Sequence, residues 1–113
     1  MPPKDIEKDR NRIRHMLKAI AEIKKFTKDK SLQDFRKDRQ LLLATVKDIE
    51  IIGEAASKIS KAFQDKYGQI PWKEIISTRN RLIHGYFEIN EKIVWQTIEQ
   101  DLIPLERQLK NIT

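Results

Sequence analysis

Between Ile6 and Phe26 the apolar residues Ile6, Ile13, Met16, Leu17, Ile20, Ile23 and Phe26 return at steps of three, four and seven, and the positions between them are mostly charged. That is the period of a helix with one face turned to a core. Lys28-Asp29-Lys30-Ser31 interrupts the stripe, and Ser31 predicts an N-cap with Asp34 in the first turn behind it. The pattern resumes at Leu32 and runs to about Phe63 through Phe35, Leu42, Val46, Ile49, Ile52, Ala56 and Ile59, which predicts one long second helix. Leu41, Ile51 and Ala55 widen its stripe, so this helix should bury two sides. A glycine inside a helix costs about 1 kcal/mol relative to alanine. Gly53 beside Ala55 and Ala56 therefore predicts a place where another helix comes close.

The stretch from Gln64 to Pro71 reads as a loop, with Gly68 as a helix stop and Pro71 opening the next helix. A third helix is predicted from Pro71 to about Tyr86 on Trp72, Ile75, Ile76, Leu82 and Ile83. After a break at 87–90, Asn90 suits an N-cap. The last helix spans Glu91 to Ile112, with Val94, Ile98, Leu102, Leu105, Leu109 and Ile112 on one stripe. Pro104 lies inside it and should kink it. Four amphipathic helices joined by short connections predict an all-α fold, an antiparallel up-and-down four-helix bundle forming a single domain over residues 1–113.

Composition agrees. Only 3 Gly and 4 Pro occur in 113 residues, too few turn-formers for a sandwich or barrel. The absence of cysteine excludes disulfides, thiolate nucleophiles and Cys-based metal sites. No apolar run reaches the roughly 20 residues that span a bilayer, and the amino terminus is charged; a cytoplasmic protein with no membrane association is the expectation. Residues 1–40 hold 13 Lys+Arg against 7 Asp+Glu, whereas 41–113 hold 10 of each, so the whole net charge of +6 lies in the first third. Such a surface attracts polyanions. Interleaved acids at helical spacing (Asp5, Glu7, Asp9, Glu22, Asp29) favour a solvated helix face over a dedicated nucleic-acid contact.

One segment departs from a plain bundle helix. Ser77-Thr78-Arg79-Asn80-Arg81-Leu82-Ile83-His84-Gly85-Tyr86 sets two arginines, an asparagine and a histidine near a helix end. On an ideal helix at about 100° per residue, Asn80 and His84 fall about 40° apart and Arg79 and His84 about 140° apart. Chemically the set suits cleavage of a phosphodiester without metal. Histidine exchanges protons near neutral pH, and the arginine fork binds phosphate oxygens as charge builds on them. Asn80 could orient the imidazole, and Arg81 could contact substrate. A plainer reading stands beside it: cations at a helix C-terminus complement the dipole, and Tyr86 packs in the core. Ser77 and Thr78 have no ordered base beside them, which argues against a serine-type hydrolase. His15, the only other histidine, reads as surface, and no cluster of ligands suggests a metal site.

At this motif the sequence resembles the HEPN superfamily, and within it the HepT-like ribonuclease toxins of prokaryotic HEPN–MNT toxin–antitoxin pairs. The resemblance rests on Arg-x4-His-x-Tyr (Arg79, His84, Tyr86), with Asn80 directly after the arginine. It extends to Ile51-Ile52-Gly53-Glu54-Ala55-Ala56, to Ile70-Pro71-Trp72, and to Trp95 followed by Asp101-Leu102-Ile103-Pro104-Leu105. The resemblance implies a helical bundle forming a two-fold homodimer with both motifs on a shared cleft. It implies metal-independent RNA cleavage that leaves a 2′,3′-cyclic phosphate, with Arg79 and His84 catalytic and Asn80 supporting them. It also implies that a partner MNT nucleotidyltransferase antitoxin attaches AMP from ATP to Tyr86, silencing the toxin; this chain itself needs no cofactor. Two rival expectations share the bundle. One is a non-catalytic subunit that binds nucleotide or substrate for a nucleotidyltransferase. The other is an interaction module whose basic first helix touches nucleic acid without cutting it.

Overall fold

A computed structural model describes the backbone of residues 3–84 and 88–113, with side chains from Ile6 to Ile83 and from Glu88 onward. Helix α1 runs Pro3–Thr27 and ends where Asp29 takes a left-handed backbone conformation, φ 60°. Asp tolerates that region better than most residues, and the chain turns there. Ser31 then opens α2 (Leu32–Lys37), as predicted: the Asp34 carboxylate accepts from both the amide and the hydroxyl of Ser31.

The long second helix is not continuous. Asp38 adopts an extended conformation, and its carboxylate accepts from the Leu41 amide, so it caps a new helix, α3 (Arg39–Ser57). A second break follows at Lys58–Ser60. The Ser60 hydroxyl accepts from the Phe63 amide and caps α4 (Lys61–Lys66). This break is held from a distance, because the buried carboxylate of Asp9 on α1 accepts from the Ser60 amide at 2.8 Å and from its hydroxyl at 2.6 Å. Asp9 is thus a structural anchor and not one of the solvated acids of a charged face. Apolar periodicity crosses both breaks unaltered, since Phe35, Leu42 and Phe63 all reach the same core.

Helix α5 (Trp72–Leu82) also ends earlier than its pattern suggests. Ile83 is extended, and Ile83–His84 (β1) pairs antiparallel with Glu88–Ile89 (β2), with Ile83 opposite Ile89 and His84 opposite Glu88. The Asn90 amide donates to the Leu82 carbonyl at 2.9 Å and closes the hairpin. Asn90 is the predicted N-cap of α6 (Glu91–Gln96), accepting from the Ile93 amide. The disturbance expected at Pro104 takes the form of a widened π-helical segment, Thr97–Leu102, after which α7 (Ile103–Asn111) restarts with Pro104 in its first turn. Proline donates no amide to the preceding turn, and a change of helical pitch just before it accommodates the loss.

Side-chain pairs show that the arms alternate in direction. Asp9 meets Ser60 while Glu22 lies beside Asp48, so α1 and α3 are antiparallel. Arg79 meets Glu50 while Ile75 and Ile76 meet Gly53, which sets α5 against α3. Arg81 meets Asp101 while Gln108 donates to the Gln69 carbonyl, and Lys24 meets Glu106 while Arg10 donates to the Ile112 carbonyl. The last arm therefore runs antiparallel to both α5 and α1, which closes a four-arm bundle. Ile13, Met16, Ile20, Phe35, Leu42, Ile52, Leu82, Val94 and Leu109 fill its centre. Gly53 does what its position predicts: a Cβ there would lie 3.2 Å from the Ile75 carbonyl oxygen and 3.5 Å from that of Ile76.

Candidate active site

The motif begins on α5, and two features fix the frame of that helix. Trp72 anchors its start, its indole N–H donating to the carbonyls of Gln64 and Tyr67 at 3.1 Å. Gly53 then lets the middle of α5 sit directly on α3. Buried Trp72, Ile75, Thr78 and Leu82 form the inner face, and Arg79, Asn80 and Arg81 are left exposed.

The two arginines leave α5 toward different neighbours. Arg79 reaches α3, with Nε 3.6 Å from the Glu50 carboxylate and 56% of its side chain still exposed. A contact that long on an exposed side chain holds the guanidinium loosely and leaves its outer edge open to a phosphate. Arg81 turns to the last arm, donating to the Thr78 hydroxyl and the Asp101 carboxylate, each at 3.3 Å. That half-exposed ion pair bridges α5 and the π-helical segment, on the opposite side of α5 from the Arg79 contact. Asn80 is exposed between them.

His84 lies on strand β1 and not on the helix. The wheel angles expected between His84 and either Arg79 or Asn80 therefore do not apply, because the helical rotation stops at Leu82. The His84 side chain and the whole of Tyr86 fall outside the described residues. The strand neighbour Ile83 lines a depression of about 550 Å³ together with Arg79, Glu50, Lys47, Leu43 and Ile89. Arg79 thus faces the same hollow as the start of the hairpin that carries His84. The exposed Leu43 on its wall is an apolar residue that the chain itself leaves uncovered. Among the described residues no three His, Asp or Glu side chains are grouped closely enough to hold a metal ion.

Arg79 thus lies on an open hollow that is also lined by Ile83, the residue before His84 on β1. The sequence matches the HepT-like ribonuclease family over residues 16–112. The chain belongs to that family. Its similarity to individual members runs through most of both chains. A candidate RNase of Caldanaerobacter subterraneus subsp. tengcongensis is 41% identical over 100 residues, covering 88% of this chain and 89% of that protein. A candidate RNase of Methanocaldococcus jannaschii is 34% identical over 116 residues, covering 99% and 93%. A protein of Thermococcus cleftensis named probable ribonuclease HepT is 33% identical over 94 residues, covering 83% and 86%. No solved structure matches the chain significantly. Family and relatives together identify a HepT-like ribonuclease with RNA as the class of substrate. Among the described residues no helix is long and apolar enough to cross a membrane.

The residue that sequence reasoning misjudges most is Asp9. Its spacing groups it with the charged face of α1, yet it is buried and caps the break before α4. No local signal marks this role: Ser60 caps α4 through the Phe63 amide, and the carboxylate that holds Ser60 comes from 51 residues away.

Proposed function

We propose that this HepT-like ribonuclease is the toxin of a HEPN–MNT toxin–antitoxin pair, a homodimer that cleaves RNA internally without a metal ion. The observation that carries the proposal is Arg79, exposed on the hollow it shares with the start of the His84 hairpin and held only at 3.6 Å by Glu50. In the reaction His84 takes the proton of a ribose 2′-hydroxyl. The oxygen attacks the adjacent phosphorus, and the bond to the 5′-oxygen breaks. That leaving oxygen receives a proton, and a 2′,3′-cyclic phosphate remains on the other fragment. Arg79 stabilises the charge that builds on the non-bridging oxygens, and Asn80 supports the pair.

One chain carries one suitable histidine, whereas the reaction uses a base and an acid. A two-fold dimer supplies the second His84 and Arg79 from its mate, and an isologous contact is the commonest way to do so. The uncovered Leu43 beside the hollow, with half-buried Ile83 and Ile89, is the apolar surface that fits such a contact. Regulation follows the same geography. The MNT nucleotidyltransferase antitoxin attaches AMP from ATP to Tyr86, and an added phosphate two residues from His84 repels RNA phosphates.

The experiment compares wild type with His84→Ala on RNA in EDTA, after circular dichroism and sedimentation show that both are folded and equally dimeric. Cleavage by wild type should persist in EDTA and fall at least about 100-fold in the variant, the usual contribution of a general acid–base. Equal cleavage by both proteins removes His84 from the mechanism, and loss of wild-type cleavage in EDTA overturns the metal-free route. With antitoxin and ATP, the protein should gain the mass of one or more AMP groups, and Tyr86→Phe should not.

A further inference from the structure

On the far side of Arg79 from the hairpin lies a second hollow, a groove of about 490 Å³ between α1, α3 and α5. It adjoins the first: Lys47, Glu50 and Arg79 line both. Its walls are cationic. Arg12 and His15 project into it from one face of α1, three residues apart, Lys47 from α3, and Lys58 from the C-cap of α3. Two carboxylates share the groove, and each has a basic partner: Glu50 meets Arg79 at 3.6 Å, and Glu54 meets Lys58 at 3.3 Å. Among the described residues, Arg12 and Lys47 are the groove's cations with no acidic partner, and they lie beside the imidazole of His15.

The groove also has an apolar part. Ile51 on α3 and Ile76 on α5 line it with 37% and 39% of their surface exposed. Cations beside apolar side chains, in one open channel, match a single strand of nucleic acid. Phosphates take the charges while base faces lie against the hydrocarbon. A duplex, whose bases are stacked away, has no use for the two isoleucines.

We infer that this groove holds the single-stranded RNA flanking the scissile linkage, with Arg12 and Lys47 contacting its phosphates and Ile51 and Ile76 its bases. The inference rests on the nuclease reading, since it extends the substrate from the hollow of Arg79 across α3 to α1. It also gives part of the basic first helix a specific role, because Arg12 and His15, and not the charge of the first third as a whole, face the strand.

The test is the binding of a 2′-O-methyl oligoribonucleotide, which has no free 2′-hydroxyl and so resists this cleavage. Its affinity is followed by fluorescence anisotropy across a range of salt concentration. For single strands each phosphate contact contributes a slope of about −0.7 in log affinity against log salt. Arg12→Gln and Lys47→Gln should each flatten the wild-type slope by about that amount and weaken binding roughly 3- to 10-fold at moderate salt. The double variant should lose both contacts, Arg12→Lys should retain most of the affinity, and Lys110→Gln on exposed α7 should match wild type. Ile76→Ser should weaken the single strand while leaving the already weak binding of an RNA duplex unchanged. An unchanged slope and affinity in the double variant overturns the inference. So does dissociation of the dimer by Ile76→Ser without effect on RNA, which would make the groove a contact between two copies of the chain. Failure of the nuclease reading appears separately, as equal cleavage by wild type and His84→Ala whatever the binding data show.

Discussion

Asp48 offers a sharp test of the packing between α1 and α3. It is buried, 5% exposed, in the middle of α3, and the carboxyl of Glu22 on α1 lies beside it. Burial first, then the hydrogen bond and charge of Glu22, push its pKa from 3.8 up to about 6. A carboxyl whose pKa rises on folding binds its proton more tightly in the native state. Its stabilising effect is complete below pH 3.8 and fades as pH climbs through 6, so this pair makes the fold less stable at neutral pH than in mild acid. At 1.36 kcal/mol per pKa unit, the rise of about two units corresponds to at most about 3 kcal/mol. Glu22 is exposed, so solvent screens the pair and a value nearer 1–2 kcal/mol is expected. Asp48→Asn keeps the shape, donates an amide hydrogen to Glu22 and cannot ionise. Urea unfolding of both proteins between pH 4 and 7.5 isolates the effect of the pair, because every group other than Asp48 and its neighbour Glu22 titrates alike in the two. The variant's stability relative to wild type should grow by about 1–2 kcal/mol from pH 4 to 7.5, mostly between pH 4 and 6.5. A constant difference across that range refutes the reasoning and means that Asp48 stays ionised in the fold.

Two further substitutions probe how the site is held. Gly53→Leu forces a side chain against the backbone carbonyls of Ile75 and Ile76, which cannot yield without moving α5; overpacking of this kind costs about 1–3 kcal/mol in urea unfolding. Because α5 carries Arg79, cleavage should fall by more than the loss of folded protein explains, and an unaltered specific activity would show that α5 need not sit so close. Asn90→Ala removes the cap of α6 at the foot of the His84 hairpin and should cost about 1 kcal/mol. Retention of full thermal stability would mean that another group takes the Ile93 amide.

Helix content and direction were legible because burial and periodicity coincide: Ile13, Met16, Ile20 and Ile23 on α1 and Leu42, Val46, Ile49 and Ile52 on α3 are all buried. Gly53 and the caps at Ser31 and Asn90 were legible for a different reason, since each acts through its own short-range geometry. The breaks were not legible. Asp38 and Ser60 are capping residues set within an apolar stripe that continues on both sides, and a stripe reports which face is buried without reporting whether the backbone is unbroken. The hydrogen bonds that decide the second break come from Asp9, far away in sequence. In the candidate site, residue types and spacing singled out Arg79, but which of two neighbours each arginine meets depends on Glu50 and Asp101, and these lie on other arms of the bundle.

The hairpin changes the meaning of the motif's spacing. Four residues between Arg79 and His84 would fix them on a continuous helix at an angle of about 140°, unsuited to a common target. Ending α5 at Leu82 releases that constraint: Arg79 is set by the packing of α5 on α3, whereas His84 is set by strand pairing with Glu88. In the proposed reaction, two separate supports can bring Arg79, as the phosphate-binding group, and His84, as the proton-transfer group, to one linkage where a rigid helix would hold them apart. The apolar pattern continues through Leu82 and Ile83 because both pack on the core, one fully buried and one half-buried, so it gives no sign of the change. What favours the change is local. Ile83 is β-branched and at home in an extended conformation, its amide still closes the last turn onto the Arg79 carbonyl, and Asn90 returns its own amide to the Leu82 carbonyl. Two backbone hydrogen bonds therefore mark the change: the Arg79 carbonyl accepts from Ile83 where the helix ends, and the Leu82 carbonyl accepts from Asn90 where the strand that bears His84 is paired.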